Sequence, residues 1–304
     1  MDGNLAIRLE GIRKQYGAKV AVDDFDLSVP RSTICGLLGP NGAGKTTTIR
    51  IMLDIIGADH GSVQLLGQRP TPEARDRIGY LPEERGLYPK MKVLELLEFL
   101  GELKGTPRRV GRERACRWLE RLELAEWGDK KVQDLSRGMQ QKVQFIGTVL
   151  HEPELLILDE PFAGLDPLNV DLLKEIVVEQ KHRGATVMFS THNMEQAERL
   201  CERVVMIKDA RKVLDGPLAE IKREAWLAGQ RRVLLAMEGG DGLLGDRSLV
   251  AAVEDRGVCL AVSLQEGVEP QQLLEAAVAA GAVVRQFQVS EPSLHEIFVA
   301  RARE

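Results

Sequence analysis

The segment Thr33-Ile34-Cys35-Gly36-Leu37-Leu38-Gly39-Pro40-Asn41-Gly42-Ala43-Gly44-Lys45-Thr46-Thr47 decides the fold. The apolar run over residues 33–38 predicts a strand, Gly39 to Lys45 a glycine-rich turn, and residues 46–55 a helix. Strand, turn and helix in that order fit the pattern G-x-x-x-x-G-K-[ST]. Glycines let successive backbone N–H groups turn inward at an oxyanion, helped by the positive end of the following helix. Lys45 adds a point charge suited to β- and γ-phosphates, and the Thr46 hydroxyl is placed to hold Mg²⁺. Gly39, Pro40, Asn41, Gly42, Ala43, Gly44, Lys45, Thr46 and Thr47 are therefore the candidate phosphate-binding residues.

Further along, Leu155-Leu156-Ile157-Leu158-Asp159-Glu160 is an apolar run ending in two carboxylates. Four apolar residues match a strand buried on both faces. Its end is where α/β sheets gather ligand-binding groups. Asp159 can hold Mg²⁺ directly or through water, and Glu160 can orient and polarise an attacking water. Standing alone, the pair would equally be two solvated charges. Beside the glycine-rich loop it indicates hydrolysis of a nucleoside triphosphate. No NKxD-type guanine-reading motif is present.

Around these motifs, strands are predicted over residues 5–9, 20–29, 62–66, 155–158, 186–189 and 203–207, alternating with helical periodicity as in an α/β domain. A mostly helical insert occupies about 87–150. Its first helix, 93–103, has apolar residues at 93, 94, 96, 97, 100 and 103, a helical spacing. Further helices are predicted near 112–122 and 136–150. After Asp215-Gly216-Pro217 the pattern changes to a helix (218–227), strands (232–237, 249–253, 258–264), a helix (270–280), a strand (283–289) and a helix (292–300). The expected domains are 1–217 and a small α+β domain over 218–304.

The 304 residues include 44% hydrophobic and 29% charged side chains, which suits a globular protein and argues against wholesale disorder. Forty-one Lys plus Arg against 46 Asp plus Glu give a net charge of −5, the wrong sign for a dedicated nucleic-acid binder. Cys35, Cys116, Cys201 and Cys259 are scattered, with no CxxC pair. They suit a reduced cytosol better than a disulfide framework or zinc cluster. No run approaches the roughly 18 apolar residues of a membrane span, and the N-terminal stretch is charged where a signal peptide would be apolar. A soluble protein made without export is expected.

The segments between the motifs resemble the ATP-binding cassette (ABC) ATPases over about residues 5–216. Leu135-Ser136-Arg137-Gly138-Met139 is similar to the family signature LSGGQ, upstream of Glu160 at the start of a helix. Alone it would read as an ordinary capped helix. A serine N-cap and a glycine that leaves room for phosphate are nonetheless suited to that task. The resemblance implies a P-loop ABC ATPase domain with an antiparallel β edge and helical insert. It implies ATP and Mg²⁺ as ligands, and a head-to-tail dimer in which Ser136 and Gly138 meet the γ-phosphate held by the other copy. It also assigns Tyr16 to adenine stacking, Ala163-Gly164-Leu165-Asp166 to the D-loop, and His192 to the switch histidine that contacts the γ-phosphate, so that Glu160 and His192 are the catalytic candidates. Thr46, Glu83 and Asp159 are the candidate metal ligands.

Two positions depart from the family pattern. Glu83 stands where most members have the Q-loop glutamine; it can reach a metal or the lytic water through an oxygen but adds negative charge. Arg137 and Met139 replace a glycine and a glutamine of the signature, and Arg137 either adds a phosphate contact or points outward. The runs Ile78-Gly79-Tyr80-Leu81-Pro82-Glu83-Glu84-Arg85-Gly86-Leu87-Tyr88-Pro89 and Pro292-Ser293-Leu294-His295-Glu296-Ile297-Phe298 are similar to the bacterial sodium-exporter-type branch with a small C-terminal domain. That branch implies a cytoplasmic ATPase subunit, peripheral at the inner face of the cell membrane, working with a separate multi-span permease and with no nucleic acid. The alternative is an ABC ATPase acting on ribosomes or nucleic acid. Such proteins use two cassettes in one chain or a long coiled coil, and the segment between Lys45 and Ser136 is too short for the latter. A run of arginines at 108, 109, 112, 114, 117 and 121 could face anionic lipid or nucleic acid, but it is interleaved with Glu113 and Glu120, and a charged stripe on a helix is usually a solvated one.

Overall fold

Strands and helices alternate through residues 1–215 in the order β1 (Leu5–Tyr16), β2 (Lys19–Pro30), β3 (Ile34–Leu38), α1 (Lys45–Met52), β4 (His60–Leu65), α2 (Pro72–Asp76), β5 (Ile78–Leu81), α3 (Val93–Leu103), α4 (Arg108–Arg121), α5 (Arg137–Val149), β6 (Leu155–Asp159), α6 (Pro167–His182), β7 (Thr186–Thr191), α7 (Met194–Leu200), β8 (Arg203–Lys208) and β9 (Arg211–Pro217). This computed structural model describes residues 4–84, 86–227, 232–265 and 267–301. The chain divides into two units, Met1–Asp215 and Gly216–Glu304.

A six-stranded sheet in the order β5-β6-β7-β3-β8-β9 forms the centre of the first unit. β5/β6, β6/β7, β3/β7 and β3/β8 are parallel pairs. Every residue of β3, β6 and β7 is buried, as expected of parallel strands covered on both faces. Each large aliphatic side chain buried here stabilises by about 1.5–3 kcal/mol. The register sets Leu38 opposite Thr191 and Asp159 opposite Ser190. The carboxyl ends of β3, β6 and β7 thus finish side by side, and the loops that leave them share one edge of the sheet.

An antiparallel sheet, β2-β1-β4, forms the expected β edge. Its strand β1 runs to Tyr16, well past the residue 9 at which simple alternation stops. Register shifts after Leu9 and Ile12, with Gly11 at φ 56, mark bulges that break the period-two pattern without ending the pairing. The extension carries Tyr16 toward the edge where the parallel strands finish.

In the helical insert, α3 buries Val93, Leu96 and Leu97, together with Glu98. Glu98 is held by Arg108 at 3.0 Å and Arg112 at 2.5 Å. That pairing explains why α4 starts at Arg108 rather than near 112: its first turn is anchored by charge and has no apolar periodicity to announce it. α1 stops at Met52 instead of 55 because Asp54 adopts a left-handed φ of 54. Periodicity alone does not mark α2, α6, α7, β5 and β9.

The second unit contains α8 (Leu218–Leu227), β10 (Arg232–Glu238), β11 (Val250–Asp255), β12 (Leu260–Leu264), α9 (Pro270–Ala279), β13 (Val283–Ser290) and α10 (Leu294–Arg301). Its antiparallel sheet has the order β11-β12-β10-β13. A core of Val233, Leu235, Val262, Leu264, Leu273 and Ala277 joins the sheet to α9. Among the described residues, no helix is long and apolar enough to cross a membrane.

Candidate nucleotide site

The loop between β3 and α1 is shaped by two glycines that no other residue could replace without displacement. A Cβ on Gly39 would lie 2.2 Å from the Ile207 carbonyl oxygen, and one on Gly44 (φ 112) would lie 2.3 Å from that of Ala21. This close backbone approach sets the N-terminal turn of α1 on the wall of a cleft of about 450 Å³. Its lining includes Tyr16, Asn41, Gly42, Gly44, Lys45, Thr46, Thr47, Glu83, Glu160 and His192, along with Lys19, Ala21 and Ala163. Strand ends, the long β1 and the loop after β5 therefore bring residues from across the first unit to one place.

Lys45 is 7% exposed. Its ammonium donates to the carbonyls of Gly39 (2.8 Å) and Pro40 (3.2 Å) and lies 3.9 Å from Glu160 Oε1. Burial pulls its pKa below the usual lysine value, while Glu160, Asp159 and Glu83 oppose that shift. Gly39 and Pro40 thus act through their carbonyls behind the cleft, and Ala43 is buried beside them.

Glu160 follows β6 with φ 48, a left-handed conformation that costs a non-glycine residue about 1–2 kcal/mol and is typical of residues held in place for function. Its N–H donates to the Ser190 carbonyl (3.2 Å) and the Ser190 hydroxyl (3.1 Å). Its Oε1 lies 2.9 Å from His192 Nδ1. The Ser190 hydroxyl in turn donates to Asp159 Oδ1. The sequence does not mark Ser190 as a functional residue. Its position one register step across from Asp159 was the signal that could have marked it, and that signal exists only once the strands pair.

Asp159 is 1% exposed and does not line the cleft, but its Oδ2 is a buried oxygen without a partner. Such an orphan acceptor normally costs about 1–3 kcal/mol; a cation or its water shell would relieve it. With the Thr46 hydroxyl and the Glu83 carboxylate on the cleft wall, the donors are all hard oxygens. Among the described residues no group of three or more His, Cys, Asp or Glu is arranged to hold a metal. Hard oxygen donors of this kind suit Mg²⁺, which is usually bound through one or two protein oxygens plus substrate phosphates.

Ser136 and Gly138 lie outside this cleft. The Ser136 hydroxyl accepts from the Met139 N–H at 3.3 Å and caps α5. A Cβ on Gly138 would lie 3.8 Å from Leu165, so the signature turn faces the loop before α6. Gln144, further along α5, donates to the Pro82 and Glu84 carbonyls at 3.3 Å each. It ties the loop bearing Glu83 to the helical insert and was not foreseen from the sequence.

A phosphate-shaped loop after β3, a carboxylate pair after β6 and a histidine after β7 define a P-loop nucleoside triphosphatase. The comparisons with known proteins narrow this to one family. A family model described as ABC transporter matches residues 22–163, and one described as ATP-binding protein DrrA1-3-like, C-terminal domain, matches 216–302. The chain is 42% identical over 296 residues to the ABC transporter ATP-binding protein YhaQ of Bacillus subtilis (strain 168), covering 97% of this chain and 98% of the relative. It is 34% identical over 309 residues to the daunorubicin resistance ATP-binding protein DrrA3 of Streptomyces coeruleorubidus, covering 97% and 95%. A solved ATP-binding subunit of an ABC transporter superposes with TM-score 0.69 at 32% identity, covering 74% of this chain and 95% of that one. The protein belongs to the ABC transporter ATP-binding proteins and is an ATPase of that family. Members bind ATP, generally with Mg²⁺, and work with membrane permeases.

Proposed function

We propose that this chain is the motor subunit of an exporter: two copies close head to tail around two ATP molecules, and hydrolysis reopens them. The observation that supports this best is the placement of Glu160 Oε1 2.9 Å from His192 Nδ1 and 3.9 Å from Lys45 Nζ, in one cleft with the phosphate loop. In this reading Glu160 takes the proton of the attacking water, and His192 orients Glu160 and touches the γ-phosphate. Lys45 leaves the Gly39 and Pro40 carbonyls for the β- and γ-phosphate oxygens, and the backbone of residues 39–47 wraps the phosphates. Tyr16, half exposed at the mouth, stacks on adenine.

Thr46, Asp159 and Glu83 would hold Mg²⁺. When bound, the ion neutralises charge on the β- and γ-phosphates. Glu83 brings an extra negative charge where most of the family has an amide, so metal-free nucleotide is held less well. Ser136, exposed, and Gly138, half-buried, would meet the γ-phosphate held by the other copy; their position outside this chain's own cleft is consistent with that role.

Residues 1–217 form the catalytic domain in this reading, with the insert at about 87–150 passing closure to a separate multi-span permease. Residues 218–304 form an accessory domain. The protein then works at the inner face of the cell membrane, attached through its permease. An export role draws support from the relative named for daunorubicin resistance. Purification of the tagged chain from detergent-solubilised cells tests this: a near-stoichiometric multi-span protein supports the reading, and ribosomes or nucleic acid in its place refute it.

A further inference from the structure

A second cleft, of about 310 Å³, is lined by Arg114, Arg117, Trp118, Arg121, Glu152 and Arg183. Three of these arginines lie on one stripe of α4. The fourth, Arg183, comes from the C-terminal end of α6, far away in sequence. Glu113, interleaved in the arginine run, does not serve this cleft: it pairs with Arg109 at 2.9 Å. The cleft arginines have other partners. Arg114 meets Glu152 at 2.5 Å and donates to the Leu150 carbonyl at 3.1 Å. Arg121 and Arg183 share the single carboxylate of Glu179 at 2.5 and 2.6 Å. Arg117 is exposed and has no ion pair or hydrogen bond among the described residues.

Four guanidiniums thus face two carboxylates. Each guanidinium offers five N–H donors in a planar fork that matches phosphate oxygens, so donors are left in excess on a concave wall. Trp118 supplies a flat apolar side, with the Arg121 guanidinium 5.3 Å from its ring centre. A purely solvated stripe would not converge with a residue from another helix or form a recess.

We propose that this cleft binds a multiply charged phosphate group, held between Arg117, Arg121 and Arg183 and backed by Trp118. The ligand bridges α4 of the helical insert to the end of α6, two elements that Arg121 and Glu179 already tie together here. The site is distinct from the nucleotide cleft and does not depend on the ATPase reading.

The test uses the full chain carrying Lys45→Ala, which weakens anion binding at the phosphate loop. Inorganic pyrophosphate binding is measured by calorimetry with and without Arg117→Glu, and with Arg117→Glu/Arg183→Ala. Because Arg117 is exposed and unpaired, Arg117→Glu leaves the fold intact, which circular dichroism checks. A parallel flotation assay compares vesicles of phosphatidylglycerol and phosphatidylcholine with phosphatidylcholine alone. A fall of at least about tenfold in pyrophosphate affinity in the variants, with no flotation, assigns a free phosphate ligand. Flotation on anionic vesicles that the variants abolish assigns a lipid headgroup. Pyrophosphate binding unchanged by the substitutions, with no variant-sensitive flotation, overturns the proposal.

Discussion

The imidazole of His192 reaches back over the end of β7 to place Nδ1 2.9 Å from Glu160 Oε1. Two residues separated by thirty-one others in the chain thus share one hydrogen bond. Parallel register between β6 and β7 is what makes that reach short, because it sets Asp159 opposite Ser190. The contact is exposed on the histidine side and largely shielded on the glutamate side, so the histidine is the partner free to move when a phosphate enters the cleft.

Ser190 should matter as much as the two charged residues it holds. It is fully buried, donates to Asp159 and accepts from the Glu160 N–H. Ser190→Ala removes both bonds and leaves Asp159 with neither oxygen partnered. We expect a loss of about 1–3 kcal/mol in unfolding free energy, read by denaturant titration. Turnover should fall about tenfold to a hundredfold from misplacement of Glu160. Unchanged turnover in a folded Ser190→Ala protein would count against its positioning role.

The glycines of the loop should separate by mechanism. Gly42 has φ 80 with open space around it, whereas Gly44 has φ 112 and would set a Cβ 2.3 Å from the Ala21 carbonyl. Gly42→Ala should cost only the left-handed backbone penalty, about 1–2 kcal/mol, and keep measurable ATP binding. Gly44→Ala must displace the loop from β2 and should lose ATP binding altogether. Equal behaviour of the two variants in equilibrium nucleotide binding would show that the close approach does not shape the loop.

His151 gives the first unit a pH dependence. Its Nε2 lies 3.3 Å from the Ile78 carbonyl and its Nδ1 is buried without a partner. Burial, with Lys104 and Arg114 nearby, lowers its pKa from 6.5 to about 4, against Asp76 and the Ile78 carbonyl. The unfolded chain therefore binds the extra proton between those values. The stabilisation is complete above pH 6.5 and is lost as pH falls toward 4, by about 3 kcal/mol. Stability curves for the protein and His151→Gln should converge over that window. Curves that stay parallel would show that His151 does not titrate there.

The features that were legible before the fold are those written in adjacent residues. The loop from Gly39 to Thr46 and the run ending Asp159-Glu160 declare themselves because their chemistry needs neighbours at fixed spacing. α6 was also legible in principle, since Asp166 accepts from the Asn169 N–H and Pro167 sits at the first turn; its burial at Val170, Leu173, Ile176 and Val177 follows helical spacing. β5 was not. It has four residues, and one is Gly79, whose absent side chain leaves room for the Thr148 carbonyl at 2.4 Å from a Cβ position. Nothing in Ile78-Gly79-Tyr80-Leu81 announces that approach. Ser190 and Gln144 were hidden for the same reason: each acts across elements, and only tertiary pairing gives it a partner.

The decisive measurement is the paired assay of ATP binding and ATP turnover on Glu160→Gln. The amide keeps the size of the side chain and a hydrogen-bonding oxygen near His192, but it cannot take a proton from water. Binding should persist and the ATP-bound dimer should accumulate on size-exclusion chromatography, while turnover falls about 10²- to 10⁴-fold. Near-normal hydrolysis by Glu160→Gln would contradict the role given to Glu160 and, with it, the mechanism drawn from this cleft.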